Sequence, residues 1–345
     1  MHINRLVSSA LIAVMACAVI AVCAGCGSSA KATADTSASS AKAPDLKDVT
    51  ITFGDIGDNL QDILRFAGEE NTPYTLKWAN FPAAPPITAA MVAGDVDAAD
   101  MSLTALSVGL AAGAPLKAIG NLPESANTFR IIAKQSSGIQ GPADLKGKRV
   151  GVLEGNAGEG LLIAALKSVG LTLKDVTLVN VEPNTGLQAF KSGQIDAWAI
   201  WDPWATEAAI GDPVHVVANA SGIWSNDGDF VATSSALHDP GKRAALADLM
   251  TRYIRAAAKI RTDPAGWAAF YAKATGLPLA LAKVTLADNT YQLEPISTNP
   301  SNLKTVADTM AGAGLLKPIP ASVLGSVSDP ALNSQITAAD QAVGQ

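Results

Sequence analysis

Side chains able to do chemistry are sparse in this chain and gather at a few turns. The histidines, His2, His215 and His238, stand apart from one another and from any clear metal-ligating neighbour. Beyond residue 26 there is no G-x-S-x-G elbow, no P-loop, no H-E-x-x-H and no C-x-x-C pair. A histidine triad or a metal site therefore finds no support, and His215 and His238 read as surface or internally satisfied groups. What remains is the chemistry of recognition. Three turns follow β-like runs: Gly54-Asp55-Ile56-Gly57-Asp58, Asp100-Met101-Ser102 and Glu154-Gly155-Asn156-Ala157. The third leads into a helix N-terminus, where free N–H groups and the helix dipole favour an anion. Ordinary turn chemistry explains the same glycines equally well, because glycine reaches positive φ without a steric penalty.

The densest local feature is Asp196-Ala-Trp198-Ala-Ile-Trp201-Asp202-Pro203-Trp204, which holds three of the chain's six tryptophans. Its pattern predicts a strand ending at Trp201, with Asp202 as a helix N-cap and Pro203 at the first helical position. Trp198 and Trp201 then stand at a strand end. Core burial and an aromatic wall at a cleft mouth are both open to them.

These turns need a frame to bring them together. β-rich runs at 49–54, 74–79, 96–100, 149–152, 176–181 and 195–200 alternate with helical spacing at 61–69, 87–93 and 159–169. Such alternation predicts an α/β fold with mostly parallel sheets and helices on both faces. In open sheets of this kind, ligands bind beyond the carboxyl ends of the strands. Pro142 to Gly147 opens a second unit as one helical turn with a glycine stop. An internal echo suggests two similar lobes: Gly94-Asp95-Val96-Asp97-Ala98 and Gly193-Gln194-Ile195-Asp196-Ala197 each follow a helix and open a strand. Helical patterns at 241–261, 267–274 and 279–287 form a tail expected to pack back on the first lobe.

The cysteines, Cys17, Cys23 and Cys26, all lie in or beside one N-terminal apolar segment. His2 and Arg5 precede an apolar run from Leu11 to Val22, and Ala24-Gly25 stands before Cys26. That is the pattern of a secretory signal, shorter than the run of about 20 apolar residues that spans a membrane. Residues 27–44 hold no large apolar or aromatic side chain and read as a flexible tether. The remaining body has no cysteine, and so neither a disulfide nor a thiol nucleophile. The chain carries 25 basic and 31 acidic side chains, an excess that disfavours nucleic-acid binding.

Two resemblances follow from these residues. Cys23-Ala24-Gly25-Cys26 resembles a bacterial lipobox, which implies cleavage after residue 25, lipidation of Cys26 and anchoring at the extracytoplasmic face of a bacterial cell membrane. The runs FPAAPPITAAMVAGDVDAADMS, PADLKGKRVGVLEGNAGEGLLIAALKSVGL and QAFKSGQIDAWAIWDPW resemble the aliphatic-sulfonate, taurine and nitrate group of ABC-transporter substrate-binding proteins. The resemblance covers about 49–311, and DAWAIWDP is its most specific piece. It implies a type II periplasmic-binding-protein fold with two crossover strands, lobe one being 46–133 plus 229–345 and lobe two 134–228, closing on ligand like a hinged trap. It also implies a monomeric receptor without a cofactor that passes a small solute to a membrane permease. The expected cargo is an alkanesulfonate or taurine, and the alternative is a pyrimidine-type thiamine precursor or another cationic or zwitterionic solute. Desulfinases share this lobe architecture but use a cysteine nucleophile, which the body lacks. The candidate ligand contacts are Asp55, Ile56, Asp58, Phe81, Asp100, Met101, Ser102, Glu154, Asn156, Ala157, Trp198, Trp201 and Asp229. One departure stands out. Sulfonate-binding relatives usually carry hydroxyl side chains in the loop that here reads Gly155-Asn156-Ala157-Gly158-Glu159. Together with Asp55, Asp58, Asp100, Glu154 and Glu159, that departure points to cargo with a positive group.

Overall fold

The computed structural model describes residues 44–57, 59–225 and 227–344. The signal-like segment, Cys26, most of the tether and Asp58 lie outside the described residues. The strands are β1 (Thr50–Ile56), β2 (Thr75–Phe81), β3 (Ala98–Ser102), β4 (Leu116–Leu122), β5 (Phe129–Lys134), β6 (Arg149–Val152), β7 (Thr177–Asn180), β8 (Ala197–Trp201), β9 (Val214–Asn219) and β10 (Gly228–Thr233). Between the strands run α1 (Asn59–Ala67), α2 (Ala84–Ala93), α3 (Leu103–Ala111), α4 (Ala157–Ser168), α5 (Pro183–Lys191) and α6 (Trp204–Ala208). After β10 come α7 (Ser234–His238), α8 (Pro240–Thr262), α9 (Pro264–Thr275), α10 (Leu279–Leu286), α11 (Ser301–Gly312), α12 (Ala321–Leu324) and α13 (Asn333–Val343).

The strands form two sheets with one plan. The first runs β2-β1-β3-β10-β4 and the second β7-β6-β8-β5-β9. In each, the first three strands pair in parallel and the last two join antiparallel. Four strands of each sheet therefore run one way and a single strand, β10 or β5, runs against them, in keeping with the mostly parallel sheets that the alternation predicts. The antiparallel partners are crossovers: β5 passes from the first lobe into the second sheet, and β10 returns to the first. This places β5 in the second sheet, although the sequence boundary puts residues up to 133 in the first lobe.

Packing follows from the sequence pattern. Ile51 and Phe53 of β1 alternate inward and meet Leu249, Met250, Tyr253 and Ile254 of α8. Ile131, Val150 and Val152 meet Leu161, Leu162 and Leu166 of α4 in the second lobe. Helix α4 is buried from Ala157 to Leu166, because its small residues let it lie close to its neighbours. A Cβ on Gly158 would stand 2.8 Å from the Ala199 carbonyl oxygen, and one on Gly160 would stand 2.3 Å from the Trp224 ring. The tail does more than cover the first lobe. Helices α8 and α13 pack there, while α11 touches both α3 and α4, and α10 touches α6.

Candidate functional site

The carboxyl ends of both sheets open onto one cleft of about 470 Å³. Ile56, Phe81 and Asp100 to Ser102 line it from the first sheet; Asn156 and Trp201 to Trp204 line it from the second. The link between β4 and β5 contributes Pro123, Glu124 and Ser125, and the tail contributes Thr285 to Gln292 with gaps.

Several of these residues also hold the frame. Ser102 lines the cleft and caps α3, its hydroxyl accepting from the Ala105 N–H at 3.3 Å. Asn156 is the N-cap of α4 and accepts from the Gly158 N–H at 3.4 Å. Asp202 lines the cleft beside the guanidinium of Arg130, with which it forms an ion pair. Its carboxylate also takes the Thr206 N–H at 3.0 Å and the Thr206 hydroxyl at 2.7 Å. Burial pushes the Asp202 carboxyl up, while Arg130 and Thr206 hold it back.

Other predicted residues stand behind the cleft. Asp55 is fully buried and accepts from the N–H groups of Ile56, Leu60 and Gln61, at 3.0, 3.1 and 3.0 Å, so it starts α1. Burial, and then the charge of Asp100, push its carboxyl up to about 7, against the pull of those three donors. Ala157 is buried inside the first turn of α4. Glu154 is exposed, and its side chain is not among the cleft lining. Glu159 folds back to accept the Gly155 N–H at 2.9 Å, so this carboxylate serves the α4 loop itself. Asp229 is buried in β10 opposite Met101 and Asn121, and burial, then the charge of Asp227, push it up to about 7.

Trp198 corrects the aromatic-wall expectation. It is fully buried, packs on Phe190 and lies against Gly186, away from the cleft. The reason is the pleat. Side chains alternate along a strand, so Trp198 and Trp201, three residues apart, face opposite sides of the sheet. Trp201 is half-buried, packs 5.9 Å from Phe129 and lines the cleft.

Sequence reasoning missed Glu124. It lies in the first crossover, an irregular segment with no periodic pattern around it. Burial, then the charges of Asp100 and Asp227, push its carboxyl up to about 8. Asp100, where burial dominates, is pushed up to about 6. Asp100 Oδ1 and Glu124 Oε2 are closed off from water and have no hydrogen-bond partner. Tyr253 and Phe230 line the cleft in an edge-on pair with centroids 5.4 Å apart. Among the described residues, no group of three or more histidine, cysteine or acidic side chains is arranged to hold a metal ion.

The chain is similar to several known proteins. A family model described as NMT1/THI5 like matches residues 81–238. A putative aliphatic sulfonates-binding protein of Escherichia coli (strain K12) is 29% identical over 203 residues, covering 59% of this chain and 63% of that protein. The taurine-binding periplasmic protein of the same strain is 29% identical over 129 residues, 37% of this chain and 40% of its own length. The chain thus matches less than two thirds of the length of these curated relatives. The structure of the alkanesulfonate-binding protein SsuA from Xanthomonas axonopodis pv. citri bound to MOPS superposes with a TM-score of 0.74 at 26% identity, over 80% of this chain and 98% of that one. The fold is the two-lobed type II periplasmic-binding-protein fold with added C-terminal helices.

Proposed function

We propose that this chain, which belongs to the NMT1/THI5-like sulfonate and taurine group of substrate-binding proteins, captures a small organic sulfonate between its lobes for an ABC importer. The observation that carries this reading is a cleft lined by strand ends from both sheets. A site reached by two lobes joined through β5 and β10 suits capture by closure. The relatives are named as binding proteins, and two of their printed names specify aliphatic sulfonate or alkanesulfonate. The sulfonate end of the solute is assigned to the second-lobe rim, near the start of α4 at Asn156. The lipobox-like Cys23 to Cys26 places the receptor, under this reading, at the outer face of the cell membrane through Cys26.

The rings that line the cleft, among them Phe81, Phe129, Trp201 and Trp204, also favour a second reading in which the solute is a flat pyrimidine-type vitamin precursor. A melting-temperature screen against sulfonates and pyrimidines separates the two. A ligand that binds only the folded state at about 100 times its Kd adds about 2.7 kcal/mol of stability. A rise with an alkanesulfonate or taurine supports the first reading. A rise with pyrimidines alone overturns it.

A further inference from the structure

We infer that Asp100 and Glu124 form a receiving site for an organic ammonium group within the cleft, so that the captured solute carries a positive charge beside its anionic end. The inference deepens the solute-binding reading and rests on it. The two carboxyls come from different elements, one from the end of β3 and the other from the link between β4 and β5, and both line the same cavity. Each presents an oxygen, Oδ1 of Asp100 and Oε2 of Glu124, that is shut off from water and bonded to nothing. Buried acceptors in folded proteins are nearly always satisfied, so two orphans in one cavity mark places that a ligand's donors fill. Among the described residues, no ion pair includes either acid.

The surroundings select the kind of cation. The groups acting on Glu124 are Asp100 from β3, Asp227 from the residues before β10 and the Thr128 hydroxyl of its own crossover. Tyr253 on α8 feels both Asp100 and Glu124, and Asp55 on β1 feels Asp100. Apart from Arg261, whose charge also reaches Tyr253, these partners are acids, a phenol and a hydroxyl, so an ammonium on the solute supplies the balancing charge once the pair ionises. The rings of Phe230 and Tyr253 line the same space, and aromatic faces attract cations. Two carboxyls beside aromatic rings suit an alkylammonium better than a hydrated metal ion. With burial and the neighbouring acids pushing the Glu124 carboxyl up to about 8, a bound ammonium favours its ionised form, and a proton leaves as the solute enters.

The test is calorimetry of the full chain with taurine, ethanesulfonate and ethylammonium, on wild type, E124Q and D100N. Taurine is expected to bind roughly ten to a hundred times more tightly than ethanesulfonate, the range for a hydrogen bond to a charged group. E124Q should remove most of that preference. At pH 7 the heat of taurine binding should vary with the ionisation enthalpy of the buffer, and this variation should vanish in E124Q. If E124Q does not fold, D100N carries the same comparison. Taurine no tighter than ethanesulfonate, or no binding by either amine, overturns the ammonium site. Ethylammonium as tight as taurine keeps the ammonium site and instead overturns the sulfonate reading.

Discussion

β3 of the first lobe and β8 of the second hold the same place in their sheets, each between a parallel neighbour and an antiparallel crossover. At the cleft, β3 ends in Asp100, Met101 and Ser102, whereas β8 ends in Trp201 and runs on to Asp202. The second-lobe acid is answered by its own lobe, through Arg130 and Thr206. The first-lobe acid keeps an oxygen without a partner. The frame is thus repeated while its charge is not, and the unpaired acid of the first lobe is the one to which the proposal above assigns the solute's ammonium. The echoed acids show the opposite case. Asp97 and Asp196 each accept a strand N–H, from Thr52 at 3.0 Å and Arg149 at 2.8 Å, and each holds a cation, Lys242 or Arg149. What repeats in the sequence there is scaffold.

The sharpest way to break this comparison lies within one segment. Trp198→Ala removes a fully buried ring and should cost about 3–5 kcal/mol of stability. Trp201→Ala should lower stability less and weaken solute binding more. Chemical unfolding of the ligand-free variants, set beside their affinities, checks both. A large loss of stability at Trp201 with unchanged affinity would return that ring to the core.

A second effect concerns pH. Asp100, Asp229 and Glu124 are pushed up to about 6, about 7 and about 8, from ordinary values of 3.8, 3.8 and 4.5. Across that window the folded protein holds protons that the unfolded chain has released. The stability these groups contribute is therefore complete below their ordinary values and is lost as pH rises toward about 8. Each group contributes a slope of at most about 1.4 kcal/mol per pH unit while it carries the imbalance. Melts of the ligand-free protein between pH 5 and 8.5 should fall, E124Q should flatten the upper part, and bound solute should restore stability at high pH. A melting temperature that rises over this range would contradict the assignment.

The smallest effect separates the echoed acids. Asp97→Ala leaves the Thr52 N–H and Lys242 unanswered in a well-covered spot, and should cost about 1–3 kcal/mol. Asp196→Ala should cost less, because the Arg149 it releases is half exposed to water. Neither should alter solute affinity.

Much of the frame was legible because it is local. The run 149–152 is β6 in full, and the helical patterns at 241–261 and 279–287 lie within a residue of α8 and α10. Strand order was not legible, since β5 and β10 find their partners far along the chain. At the cleft, Asp100, Met101 and Ser102 were marked by a turn that follows a strand. Asp55 sat in another such turn and Asp229 came only with the family resemblance, yet one starts a helix and the other lies inside a sheet. Glu124 gave no local signal, because its role depends on a crossover that brings it beside Asp100. The tryptophan segment held its own answer: the two-residue period of a strand already puts Trp198 and Trp201 on opposite faces.

The central claim is that one solute is gripped by both lobes. Small-angle scattering of the protein, with and without a saturating solute identified by calorimetry, tests it most directly. A hinged trap closing on its cargo predicts a smaller radius of gyration in the bound state than in the free state. Saturated binding with an unchanged radius of gyration would contradict closure and confine the solute to one lobe.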